Sequence, residues 1–110
     1  LVVGSDRDRQ SIATPRLNMK QLPLYEILGV KSDAMPEVWI LAEQYPYLTE
    51  RLHPKARPEG DLELLRLRYG ANGAVQAPLR TIGQQQRLTG ERVRRRLNRI
   101  IAWLSKYVRR

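Results

Sequence analysis

Hydrophobic positions recur along most of this chain with a helical rhythm. Val93, Leu97, Ile100, Ile101, Leu104 and Val108 fall three, four or seven residues apart on one stripe, while Arg92, Arg95, Arg99 and Lys106 lie on the other side. Thr89, just ahead of that stripe, suits an N-cap, with Arg92 at N3 where a capping box would carry Glu. A shorter helix is predicted to open at Pro78, with Leu79 and Ile82 turned inward and Gly83 leaving room for a close helix approach. DLELLRLRYG, residues 61–70, reads as a further helix. Leu62, Leu65 and Tyr69 set its stripe, Leu64 and Leu67 widen it, Asp61 suits its cap and Gly70 its stop. Earlier in the chain, Pro23, Pro36 and Pro46 each suit a first helical turn. They predict helices over residues 24–28, 36–44 and 47–52, with Trp39, Ile40, Leu41, Tyr45 and Leu48 buried.

Between these segments, HPKARPEG over residues 53–60 reads as a linker, and residues 1–16 read as an arm without periodicity. No strand pattern or internal repeat stands out. The expected architecture is all-α: a small helical domain with a C-terminal helix-turn-helix and a long terminal recognition helix. Its expected parts are an arm over residues 1–20, a short-helix segment and linker over 21–60, and the helix-turn-helix unit over 61–110.

Charge sharpens this picture. Residues 61–110 hold 12 Lys/Arg against 3 Asp/Glu, a net of +9, whereas residues 1–60 hold 8 of each. The whole formal charge therefore sits on the half that carries the helix-turn-helix pattern, where a nucleic-acid footprint belongs. The remaining composition mostly excludes. With 110 residues and 42% hydrophobic content, the chain can build one core, although without Phe. No Cys is present, which removes disulfides and thiolate metal sites and fits a reducing cytoplasm. No apolar run approaches the roughly 20 residues that span a bilayer, and LVVG is too short for a signal core. A start at Leu1 rather than Met reads as a fragment or a processed chain.

A second helix of this kind places its N-terminal residues against base edges in the major groove, while basic residues farther along meet phosphates. Arginine suits both tasks through bidentate contact to guanine or phosphate.

Three blocks then stand in register: LLRLRYG at residues 64–70, PLRTIG at 78–83 and LTGERVRRRLNRII at 88–101. Together they resemble the C-terminal, −35-element-binding domain (region four) of bacterial sigma factors, whose pattern runs LRLRYG, a loop, TLEEIG, a gap and TRERVRQIENRAL. The likeness covers residues 64–104. It implies a double-stranded DNA-binding helix-turn-helix protein of bacterial transcription, cytoplasmic and nucleoid-associated, reading DNA through residues 89–99. Carried over by position, Thr89 caps the recognition helix and touches phosphate, Glu91 accepts from cytosine, and Arg94 reads guanine or its neighbour. Arg95 stands where the family often has a base-contacting Gln. Arg68 matches an arginine that contacts the DNA backbone, and Arg92 and Arg99 meet phosphates. The family's domain also docks on the RNA polymerase β flap, which makes polymerase a second expected partner.

The departures matter too. Gly90 replaces an arginine that normally contacts DNA, which implies an altered sequence preference, and it weakens the first helical turn. Arg96 and Leu97 stand where the family favours an apolar residue and then an acid. Arg80 and Thr81 replace its usual acids.

Residues 24–37, LYEILGVKSDAMPE, resemble the opening of a J-domain co-chaperone module, and His53-Pro54 follows. Lys55 takes the place of that family's Asp, and the interval from Val38 to His53 is too long by about one helical turn. A short helix and turn packed on the helix-turn-helix is the expectation there. Trp103 is expected to pack, with a partner surface as the alternative. His53 alone supports no zinc site, and no nucleophile–base set assembles, so no enzyme, metal or cofactor is expected. Two other function classes stay open. One is a protein-interaction module that binds RNA polymerase or another partner through the basic helix. The other is RNA binding, which the scarcity of aromatics among the arginines disfavours.

Overall fold

The computed structural model describes residues 22–50 and 57–108. The expected arm and the His53-Pro54 pair lie outside the described residues. Five α-helices follow in order: α1 Leu24–Leu28, α2 Met35–Glu50, α3 Pro58–Arg68, α4 Leu79–Gln86 and α5 Gly90–Tyr107, with a 3-10 turn Ser32–Ala34 ahead of α2. The all-α expectation holds. Among the described residues, the only β pairing is an isolated antiparallel bridge between Tyr69 and Val75.

Helix α5 is the axis of the domain, and α1, α2, α3 and α4 all pack against it. Its apolar stripe buries as the spacing predicts: Val93, Leu97, Ile100, Ile101 and Leu104 are inside. Helix α3 contributes Leu62, Leu64 and Leu65, and α2 contributes Met35, Val38, Ala42 and Tyr45 to the same buried cluster. Each such aliphatic side chain stabilises the fold by roughly 1.5–3 kcal/mol through burial. One core therefore joins residues on both sides of position 60. The helical segment expected to pack on the helix-turn-helix does so, as a wall of the same domain.

Three local expectations change. Pro46 does not start a helix; it lies inside α2, which runs unbroken from Met35 to Glu50. A proline ring disrupts the preceding turn, but here it is buried against the domain, and Thr49 Oγ1 donates to the Tyr45 carbonyl at 2.6 Å within the same stretch. Ile40 and Leu48 are not core: they are 65% and 56% exposed, because the continuous helix turns its Val38–Ala42–Tyr45 face inward and carries those two to the outside. Helix α3 starts at Pro58, inside the expected linker, so Asp61 stands within its first turn and is not its cap.

A hairpin-like loop follows α3. Tyr69 leaves the helix in an extended conformation, Gly70 N–H donates to the Ala74 carbonyl at 2.8 Å, and Gly73 turns the chain at φ 90°. The helix ends at Arg68 with Tyr69 as its C-cap, so Gly70 follows at the position expected of the stop, while the left-handed glycine of the loop is Gly73. Trp39 Nε1 donates to the Ala71 carbonyl at 3.0 Å and Leu24 N–H to the Gly73 carbonyl at 2.7 Å, which ties α2 and α1 to this loop. Arg66 and Glu43 bridge α3 and α2 at 3.0 Å on the surface.

Candidate nucleic-acid interface

Helices α4 and α5 are joined by residues 87–89. Two local features set the angle of this turn. A Cβ on Gly83 would lie 2.5 Å from the Leu88 carbonyl oxygen, so the turn closes over α4 only because position 83 has no side chain. Arg87 adopts the left-handed conformation, φ 58° and ψ 42°, and ends α4. Thr89 is the N-cap of α5, its Oγ1 accepting from the Arg92 backbone N–H at 3.1 Å, as its position predicts.

At the start of α5, Glu91 lies under two arginines. Arg94 Nε donates to Glu91 Oε1 at 3.1 Å and its Nη2 to Oε2, while Arg95 Nε stands 3.8 Å from Oε2. The hydrogen bonds to Glu91 raise the Arg94 pKa further. Arg95 keeps 68% of its side chain exposed. Arg92, and Arg80 and Arg87 from α4 and the turn, are also exposed, and no carboxylate of the described residues pairs with them. A Cβ at Gly90 would meet nothing within 4 Å, so this glycine leaves open surface at the first turn.

Farther along α5 the arginines have a different role. Asp61 is fully buried and accepts from three side chains. Arg96 Nε reaches its Oδ1 at 2.8 Å, Arg99 Nε and Nη2 reach Oδ2 and Oδ1 at 3.0 and 3.3 Å, and the Tyr45 hydroxyl donates to Oδ2 at 2.7 Å. Gly60 leaves the space that the Arg96 guanidinium fills, and Arg96 Nη2 also donates to the Arg57 carbonyl at 3.1 Å. This cluster locks α2, α3 and α5 together. A buried carboxylate is tolerable only with such partners, because removing one charge of a buried set leaves the others uncompensated. Burial and the neighbouring Asp61 carboxylate push the Tyr45 phenol well above its usual range, and the hydrogen bond to Asp61 holds Arg99 charged.

The eight expected DNA-contacting residues therefore divide. Thr89, Gly90, Glu91, Arg92, Arg94 and Arg95 gather at the N-terminal end of α5. Arg99 is placed instead as an ion-pair partner of Asp61, with half its side chain exposed. Arg68 is 4% exposed, donates from Nη1 to the Ala77 carbonyl at 2.8 Å and stands 5.8 Å from the Tyr69 ring centre, so it braces the loop before α4. Its expected backbone contact gives way to this internal one. The reading of the residues missed Arg87 and the Asp61 cluster. A signal for the cluster existed: Asp61 is in phase with Leu64, Leu65 and Arg68, so an acid and a base stand on the buried face of α3 and require partners.

Trp103 is half-buried on the same side of α5 as Arg96 and Arg99. It meets Tyr45 edge-on at 5.3 Å between ring centres and Tyr107 at 4.9 Å, the packing role expected of it. No helix among the described residues is long and apolar enough to cross a membrane. Comparisons with protein families, with curated proteins and with solved structures give no match.

Proposed function

We propose that this chain is a double-stranded DNA-binding helix-turn-helix protein of bacterial transcription, similar in its last three helices to region four of sigma factors. Its contact face is the N-terminal half of α5 together with the preceding turn. One observation carries the reading. Arg87, Arg92 and Arg95 remain exposed in the turn before α5 and in its first two turns, around the Thr89 cap, and Arg80 is exposed on α4, in a stretch from residue 64 to 110 that contains 12 Lys/Arg and a single acid, Glu91. Such a surface offers phosphate-binding cations and polar side chains at the end of the helix that enters the major groove in this class. Arg99 and Arg68 do not belong to the face; they hold it in place.

The test is fluorescence anisotropy against a randomised duplex pool at low and moderate salt, followed by recovery of the retained sequences. Binding that weakens steeply with salt and enriches a motif is the expected result. No binding at low salt overturns the reading and turns attention to an acidic protein partner, with RNA polymerase first in line.

A further inference from the structure

Helix α2 is apolar on two faces. Met35, Val38, Ala42 and Tyr45 turn into the core, while Ile40, Leu41, Tyr47 and Leu48 form a second stripe on the other side, with Gln44 at its centre. Ile40, Tyr47 and Leu48 are 65%, 76% and 56% exposed. A helix that is hydrophobic all round belongs between two layers, and the domain supplies only the inner one. We infer that the outer stripe pairs with the same stripe of a second copy of this chain, antiparallel, about a two-fold axis at Gln44. The inference goes beyond the DNA-binding reading and does not depend on it.

The spacing points to an identical partner. Ile40 and Leu48 stand four residues before and after Gln44, and Leu41 and Tyr47 stand three before and after. Reversing the helix about Gln44 therefore lays Ile40 on the partner's Leu48 and Leu41 on the partner's Tyr47, and the same pairs recur on the other side of the axis. A two-fold contact requires this self-complementarity. Gln44 suits the axis because its amide holds both donors and an acceptor, so two copies satisfy each other by exchanging N–H···O bonds. A polar residue at the centre of an apolar seam also fixes its register.

Charge agrees with this arrangement. Each copy carries +9, so two copies approach best where arginine is absent. Met35–Glu50 contains no Lys or Arg, and Glu43 is already paired with Arg66. Glu37, seven residues from Gln44, stands about 20 Å from its symmetry mate along the paired helices, which exceeds the screening length at physiological salt. Arg87, Arg92 and Arg95 lie toward the opposite end of α5 from Trp103, the residue that Tyr45 of α2 meets, so the pairing leaves them open. The area also suffices. Ile40, Tyr47 and Leu48 leave on the order of 400 Å² open per copy, the size of a functional patch. With Leu41, Gln44 and Glu37 included, two copies bury roughly 1,000 Å², the lower limit of a specific interface. This size fits a reversible dimer rather than an obligate one.

The test is analytical ultracentrifugation of the full chain, Ile40→Lys, Leu48→Glu and an equimolar mixture of the two variants, from micromolar to submillimolar concentration and at two salt concentrations. The wild type should dimerise with a Kd on the order of 10–100 µM, more tightly as salt screens the +9 of each copy. Both substituted positions are exposed, so each variant should keep the urea midpoint of the wild type while dimerising at least about tenfold more weakly. The mixture should recover the dimer, because the antiparallel register sets Lys against Glu on one side of the axis and leaves Ile40 on Leu48 on the other. A wild type that stays monomeric overturns the inference. The stripe then serves another protein or, if Ile40→Lys lowers the urea midpoint of that monomer, another part of the same chain. Dimers that survive both substitutions overturn it too, since the contact then lies elsewhere, and a mixture that stays monomeric rules out the antiparallel register.

Discussion

Arg95 and Arg96 are adjacent in the chain and lead opposite lives. The Arg95 side chain is 68% exposed, loosely held near Glu91, and projects from the free end of α5. The Arg96 side chain is 20% exposed and locked to the fully buried Asp61, with Arg99 completing the carboxylate from the next turn. The comparison separates charge that is present from charge that is available. Arginine count alone makes α5 a uniformly cationic helix. Its far half instead uses arginine as internal adhesive, and only the near half offers it outward. Fixing one half is also what holds the other at a constant angle, since Asp61 ties α5 to α2 and α3 at once.

Removing the adhesive should give the largest effect. Asp61→Ala leaves Arg96 and Arg99 without their counter-charge and the Tyr45 hydroxyl without its acceptor, so a loss of about 3–5 kcal/mol in folding stability is expected. Urea denaturation monitored by tryptophan fluorescence measures it directly. A loss near zero would mean that the cluster is decoration and that the two halves of α5 do not differ in kind.

The pair of single substitutions comes next. Arg95→Ala should leave stability within about 0.5 kcal/mol while weakening duplex binding by roughly 1–3 kcal/mol and relaxing sequence preference. Arg96→Ala should do the reverse in rank, with the greater loss in urea midpoint. Measuring both variants by denaturation and by anisotropy gives a two-by-two outcome. If both variants lose mainly binding, the division drawn between them is wrong.

How much of this was legible beforehand follows from what periodicity contains. The stripe Val93–Leu97–Ile100–Leu104 and the cap at Thr89 are local facts, and both were readable from spacing. Arg92, Arg96, Arg99 and Trp103 also share one face of α5 by spacing, yet Arg92 is exposed, Arg96 and Arg99 meet Asp61, and Trp103 meets Tyr45. Periodicity tells which side of a helix a residue occupies. It says nothing about how far along that side a neighbouring helix reaches, and here Asp61 of α3 meets α5 at Arg96 and Arg99. For the same reason, Pro46 misled as a boundary and Ile40 and Leu48 as core: the burial of α2 is decided by its neighbours, across the unbroken helix.

Tyr45 probes the same cluster more gently. Tyr45→Phe keeps the ring against Trp103 but withdraws one donor from Asp61, at a cost of about 1–2 kcal/mol at neutral pH. The pH dependence carries a sign. The phenol pKa is higher folded than unfolded, where it is about 10, so the contribution of Tyr45 is complete below that value and is lost as pH rises through and beyond it. Wild-type stability should decline on the alkaline side of about pH 10, and Tyr45→Phe should decline less steeply. Burial raises Tyr69 in the same direction, so part of the slope should persist in the variant. Parallel alkaline limbs in the two proteins would show that the hydroxyl does not sense the carboxylate.

The smallest effect concerns an arginine whose backbone, rather than its partner, is unusual. Arg87 holds φ 58° at the turn into α5, a left-handed conformation that costs a residue with a Cβ roughly 1–2 kcal/mol. Glycine would remove that cost but bring more unfolded-state freedom, a penalty of about 0.4–1 kcal/mol. Arg87→Gly should therefore raise stability slightly, by about 0.5 kcal/mol on balance. If Arg87 belongs with Arg92 and Arg95, the same variant should bind duplex more weakly, with a salt slope shallower by about one unit. A protein that gains stability and loses affinity at one position is retaining strain for the sake of its exposed charge. Should Arg87→Gly gain stability and keep its full affinity, the outward-facing set shrinks to α4 and α5, and the turn serves only to join them.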